Sequence, residues 1–153
     1  MKQYSNELTA EMLAAFDHSP FTTKQLAEMN EEARSLIAER NAYNLAHPVT
    51  AAYLVATEGS ITRDGGTVFS EYNGQQIELE NGTLVNVSVV GDEVRYPNGT
   101  TAKITTGAGN TSGKSAALVG SSLDNGDEII SSPQGRVRRA VRAGESLPEN
   151  FLK

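Results

Sequence analysis

VSVVGDEVRYPNG, residues Val87 to Gly99, decides how this chain folds. A short β run leads into Gly91-Asp92, a second run follows, and Pro97-Asn98-Gly99 closes the stretch. Runs this brief, separated only by turn residues, pair with each other as antiparallel hairpins and leave no room for a crossover helix. The order recurs in AALVGSSLDNGDEIISSPQG, residues Ala116 to Gly135, with the acidic pair Asp127-Glu128 in the place of Asp92-Glu93. A repeat inside a β-rich stretch predicts a stacked or pseudo-symmetric assembly of hairpins. Outward on both sides, from Pro48 onward, short Val-, Ile-, Thr- and Tyr-rich runs alternate with Gly and Asn. The dipeptide Asn-Gly occurs at Asn73, Asn81, Asn98 and Asn125. It supplies the positive φ angles of tight hairpin turns.

The first 47 residues read differently. Leu8, Met12 and Phe16 stand four apart on a short helix, the spacing of one apolar stripe. After a break at Ser19-Pro20, Thr22 and Gln25 form a capping-box pattern that opens a second helix. Leu26, Met29, Ala33, Leu36 and Tyr43 predict its apolar face, and Pro48 ends it. The fold class expected is therefore α+β, mainly β. A helical arm over residues 1–47 precedes a β domain over 48–153 whose last strand is basic. The arm either packs on its own domain or docks a partner.

Composition limits the chemistry. The 153 residues include no cysteine, which excludes disulfides, thiol catalysis and zinc–thiolate sites. The net charge is −6, and the central residues 51–132 carry 10 acidic against 4 basic side chains. An acidic body gives no long-range attraction to nucleic acid or to an anionic membrane. The tail GRVRRAVRAG is basic, but no aromatic residues interleave it, so no nucleic-acid partner is expected. Its alternation puts Arg136, Arg138 and Arg142 on one side of a strand and Val137 and Val141 on the other. That pattern suits an edge strand with solvated charges. MKQYSNELTAEM lacks the apolar core of a signal peptide. No apolar run reaches the roughly 20 residues of a membrane span.

AGNTSGKS, residues Ala108 to Ser115, matches a relaxed phosphate-loop pattern through Gly113, Lys114 and Ser115. Such a loop works only where a buried parallel strand leads in and a helix opens at its end, presenting its first amides to phosphate. Here AALVGSSLDNG follows, with a five-residue β run and then Gly120, Asn125 and Gly126. The match is read as false, with a solvated lysine on a turn and no bound cofactor.

The ordered set ATEGSITRDGGTV, VVGDEVRYPNGTTAKITTGAG and AALVGSSLDNGDEI resembles the PAAR-repeat family over about residues 53–133. Ser115 to Gly120 stands where that family carries Pro-Ala-Ala-Arg-Val-Gly, and the two alanines, the valine and the glycine are kept. The resemblance implies a small cone of β-hairpins that caps the trimeric β-helical spike of a contractile phage tail or type VI secretion system. One copy would sit on each trimer and act mechanically, touching the target membrane only as it pierces it, with no turnover. It implies a virion or machine-secreted location. In the runner-up role the helical arm holds an effector or tail protein. Many relatives bind a metal near the apex, but the family's ligand positions are occupied here by Asp64 and Tyr96. His18 and His47 both lie in the helical part, so no metal is expected. Asp92-Glu93 and Asp127-Glu128 are read as architecture, and no residue as catalytic.

Overall fold

The computed structural model describes residues 2–17, 21–109 and 115–153. The protein is α+β and mostly β. Three helices, α1 (Ala10–Asp17), α2 (Thr23–Glu28) and α3 (Glu31–Ala46), precede nine short strands. These are β1 (Val49–Leu54), β2 (Ile61–Thr62), β3 (Thr67–Phe69), β4 (Gln76–Glu78), β5 (Leu84–Asn86), β6 (Glu93–Arg95), β7 (Thr101–Lys103), β8 (Ile129–Ser131) and β9 (Arg138–Arg142). Two compact units interleave along the chain. The β unit takes residues 2–6, the described part of Ala52–Arg139, and Ser146–Lys153; the helical unit takes Glu7–Ala51 and Ala140–Glu145.

The β unit is built from one sector used three times. Each sector opens on a four-residue turn: Thr57–Ser60, Val89–Asp92 and Leu118–Ser121. In each, the fourth residue's N–H donates to the first residue's carbonyl, and its side-chain oxygen accepts the first residue's N–H, at 3.0, 2.9 and 2.9 Å respectively. The third residue has positive φ, +85° at Gly59, +99° at Gly91 and +115° at Gly120, a conformation only glycine takes cheaply. A hairpin follows, and its return strand comes back to the same glycine, whose N–H donates to Val68, Ile104 or Ile129. These three side chains are at most 2% exposed and sit at equivalent places in one core.

The sequence repeat is thus threefold. Asp92 closes the opening turn of its sector, as Ser60 and Ser121 do, whereas Asp127 follows the far turn of the third hairpin. The two Asp-Glu pairs are not equivalent, which corrects the register expected from the repeated Gly-Asp-Glu.

The sectors close on themselves. Ala56 N–H donates to Ala117 O, Ala117 N–H to Ser88 O, and Ser88 N–H to Ala56 O, all at 2.9 Å. A second cycle lies beside it: Glu58 to Asn86, Val90 to Ser115, and Val119 to Leu54. The antiparallel bridges Val55–Leu118, Thr57–Val87 and Val89–Ala116 repeat the same relation. Ala56, Ser88 and Ala117 are 0% exposed; only small side chains fit where three backbones converge. The hairpins also join laterally. The antiparallel order is β7-β6-β3-β2-β8, and the Ile104–Leu123 and Ser122–Glu128 bridges carry the pairing from the end of β7 through the outgoing arm of the third hairpin to the start of β8.

The hairpin ends differ from the expected turn type. Gly65, Gly82, Gly99 and Gly126 have positive φ, but among the described residues no asparagine does. Each of these loops spans three residues and ends on the glycine, as in a turn followed by a bulge. The asparagine instead accepts, through Oδ1, the N–H two residues on: Asn81 from Thr83, Asn98 from Thr100, Asn125 from Asp127, each at 3.0 Å.

Residues 2–6 strap the β unit. Tyr4 exchanges backbone bonds with Ser132, and Asn6 accepts Leu54 N–H and donates to Val119 O, both at 2.7 Å. Asn6→Ala leaves both ring-side groups unpaired and is expected to cost about 1–3 kcal/mol, measured by chemical denaturation. Wild-type stability in that variant would show that water replaces the side chain.

In the helical unit Thr22 and Gln25 form the expected reciprocal cap. The helix it opens stops at Met29, however. Asn30 is extended (φ −69°, ψ 166°) and its side chain caps Ala33, so a new helix begins at Glu31. Leu26, Met29, Ala33 and Ile37 are half-buried, but Leu36 from the expected face is 61% exposed. Arg142, expected on a solvated face, is buried and donates to His47 O and Phe16 O. Helix-end carbonyls lack partners of their own and attract a cation. Val137, from the opposite side, is 44% exposed, while Arg136 is exposed and Arg138 and Val141 are both half-buried, so the expected alternation does not hold. The Ser19-Pro20 break and His18 lie outside the described residues. His47 ends α3, as expected, with Nδ1 2.7 Å from Ala143 O.

Candidate functional site

The far ends of the three hairpins are held by one carboxylate. Asp127 is 1% exposed and belongs to the third hairpin. Its Oδ2 accepts the Tyr96 hydroxyl of the second hairpin at 2.6 Å. Its Oδ1 accepts the Asp64 N–H of the first hairpin at 3.2 Å and the Glu128 N–H at 2.7 Å. The Thr62 hydroxyl also bonds it, and the Arg63 guanidinium lies 3.9 Å away. Asn125 Nδ2 donates to the Tyr96 oxygen at 3.0 Å, closing the arrangement from the side.

Burial pulls the Asp127 carboxyl upward, but the bonds from Thr62, Tyr96, Glu128 and Asp64 together outweigh it, so its pKa lies below 3.8. Burial, and then the bond to Asp127, raise the Tyr96 phenol above 10.0. Asp127 is therefore an anion and Tyr96 a neutral donor across the ordinary pH range. The cluster has an acceptor at its centre and donors converging on it. That arrangement fixes geometry and offers no free base or nucleophile.

Asp64 and Tyr96, the two positions singled out against the family's metal ligands, do come together here, through Asp127. Neither serves as a ligand in this arrangement. The Asp64 side chain is 59% exposed beside Arg63, and the Tyr96 phenol is engaged. Among the described residues no three His, Cys, Asp or Glu side chains are grouped to hold a metal ion. A metal held between these residues does not fit this donor set.

The other positions have architectural partners. Asp92 accepts Val89 N–H and the Ser88 hydroxyl; Glu93 pairs with Arg95 at 2.7 Å on the surface. Gly113 and Lys114 lie outside the described residues. Ser115 accepts Val90 N–H as part of the second cycle, and Ala116 bridges Val89. The chain after Ser115 enters a β bridge and then the turn Leu118–Ser121. It is not a helix whose amides could receive phosphate.

The role of Asp127 was missed in the sequence because Gly-Asp after Asn-Gly reads as a turn. The one available signal was Tyr96, an aromatic with a polar tip before a tight Pro-Asn-Gly turn, which needs a buried acceptor. Comparisons with protein-family models, curated proteins and solved structures give no match to this chain. No helix of the described residues is long and apolar enough to cross a membrane.

Proposed function

We propose that this protein is a PAAR-like spike tip: a cone-like unit that caps the trimeric β-helical spike of a contractile phage tail or type VI secretion apparatus, one copy per trimer. One observation carries the reading. Three sectors of one chain meet in a closed cycle of equivalent backbone hydrogen bonds, so a single copy presents threefold-related surfaces to a threefold partner. A homotrimer meeting an asymmetric monomer would make one good contact and two poor ones; a pseudo-threefold monomer makes three similar ones. The clasp at Asp127 ties the far ends of the hairpins together, which suits a part loaded mechanically against a target envelope. The protein acts without turnover.

The test is to mix the full chain with a cognate spike trimer and weigh the complex by native mass spectrometry. One copy per three spike chains is expected, across an interface of roughly 800 Å² per partner. Three copies per trimer, or no complex at micromolar concentration, would remove the proposal.

A further inference from the structure

Among the described residues of the helical unit no apolar side chain is more than half-buried. Every buried apolar side chain among the described residues lies at Ala52 or beyond, while in the helical unit only Asn44 and Arg142 are buried. The same unit exposes Leu13, Leu36 and Leu45, at 37%, 61% and 82%. Helices of six to sixteen residues are marginal in water unless an apolar face is packed. The unit is also acidic, with eight carboxylate side chains against four basic ones. A concavity of about 590 Å³ is lined by Asn30, Glu31, Glu32, Ser35 and Leu36. There an exposed leucine is bordered by two carboxylates in the first turn of α3, with Glu39 and Arg40 one turn beyond the leucine, so three carboxylates stand against one guanidinium.

We propose that this face of α3 is a docking surface for a basic amphipathic helix of another protein, one whose apolar side chain covers Leu36 while Lys or Arg residues meet Glu31 and Glu32. Charge selects this occupant. An acidic ligand would be repelled by the rim. A second copy of the chain would bring the same carboxylates against themselves, and like charges facing each other across an interface oppose pairing. Docking would supply the apolar contact that the unit lacks and order it on binding. The inference is independent of the spike-tip reading, since it needs only the chain and its α3 face.

The test uses the full-length protein and hydrogen exchange read by mass spectrometry. In the chain alone, amides of α3 should exchange far faster than those of Ala56, Ser88 and Ala117. A designed helical peptide with leucines spaced on one face and lysines flanking them should slow exchange across α3. The same peptide with glutamate in place of lysine should not. The Leu36→Glu variant, and separately the Glu31→Lys/Glu32→Lys variant, should each weaken the lysine peptide by about tenfold or more without changing exchange in the ring. Equal binding of both peptides, no effect of either variant, or α3 amides as protected as the ring amides would each overturn the proposal. So would concentration-dependent dimerisation lost in Leu36→Glu, which would assign the face to a second copy.

Discussion

Asp127→Ala is expected to destabilise the β unit by about 3–5 kcal/mol, because it strips the common acceptor from four donors in three hairpins. At about 2–4 °C per kcal/mol for a chain of this size, the melting temperature should fall by roughly 6–20 °C. Asp127→Asn keeps one carbonyl acceptor but sets an N–H₂ against either the Tyr96 hydroxyl or the two backbone N–H groups. It should recover only part of the loss. The pH dependence follows from the direction of the shift. The folded carboxyl titrates below its unfolded value of 3.8. Its contribution is therefore complete above that pH, and is lost as the pH falls through the folded pKa. Wild type should lose stability in acid more steeply than Asp127→Asn, whose side chain does not titrate. Parallel acid profiles for the two, or a loss below 1 kcal/mol in Asp127→Ala, would show that the clasp is incidental. Tyr96→Phe, which removes one donor and leaves the ring in place, should cost about 1–2 kcal/mol.

Proline at the ring should be equally damaging wherever it is placed. Ala56, Ser88 and Ala117 each donate one N–H to the cycle, and proline has none to give. Each of Ala56→Pro, Ser88→Pro and Ala117→Pro is expected to cost about 3 kcal/mol or more and to abolish the complex with a spike trimer. The comparison among the three carries the meaning. If the sectors are equivalent, thermal melts of the variants should fall together. If one position tolerates proline while the other two do not, the cycle is not a single cooperative element.

The β character and most of the turn positions were legible because Gly and Asn-Gly punctuate short branched runs. The threefold order was harder to see. Glu58-Gly59-Ser60 shares only its glycine and the Ser-or-Asp acceptor with Val90-Gly91-Asp92 and Val119-Gly120-Ser121, and a repeat defined by backbone bonds needs no more. The louder similarity, Gly-Asp-Glu, is coincidental in register. Asn-Gly located the turns at Asn81, Asn98 and Asn125 but not at Asn73, where Gly74 has no positive φ, and it misstated their type, since those three asparagines cap the backbone where positive φ was expected of them. The helix break at Met29-Asn30 was readable in hindsight: an Asn followed by Glu31, Glu32 and Ala33 is a start signal. The buried role of Arg142 was not, because its partners are carbonyls more than ninety residues away at His47 and Phe16. Long-range pairing of an arginine with bare helix ends leaves no local trace.

The cycle through Ala56, Ser88 and Ala117 makes the number three a property of the main chain. An open stack of hairpins can gain or lose a unit and stay folded; a closed one cannot, because a fourth member has no bond to take and a missing one leaves two ends loose. Side chains are largely released from this duty, provided that the ring positions stay small and a glycine follows three residues on. The connections between sectors are released as well. One carries the β4–β5 hairpin, a side insert hung on the frame. Such a scaffold lets its outer parts diverge, or accept a passenger, while its rotational order stays fixed by nothing more than amides and carbonyls.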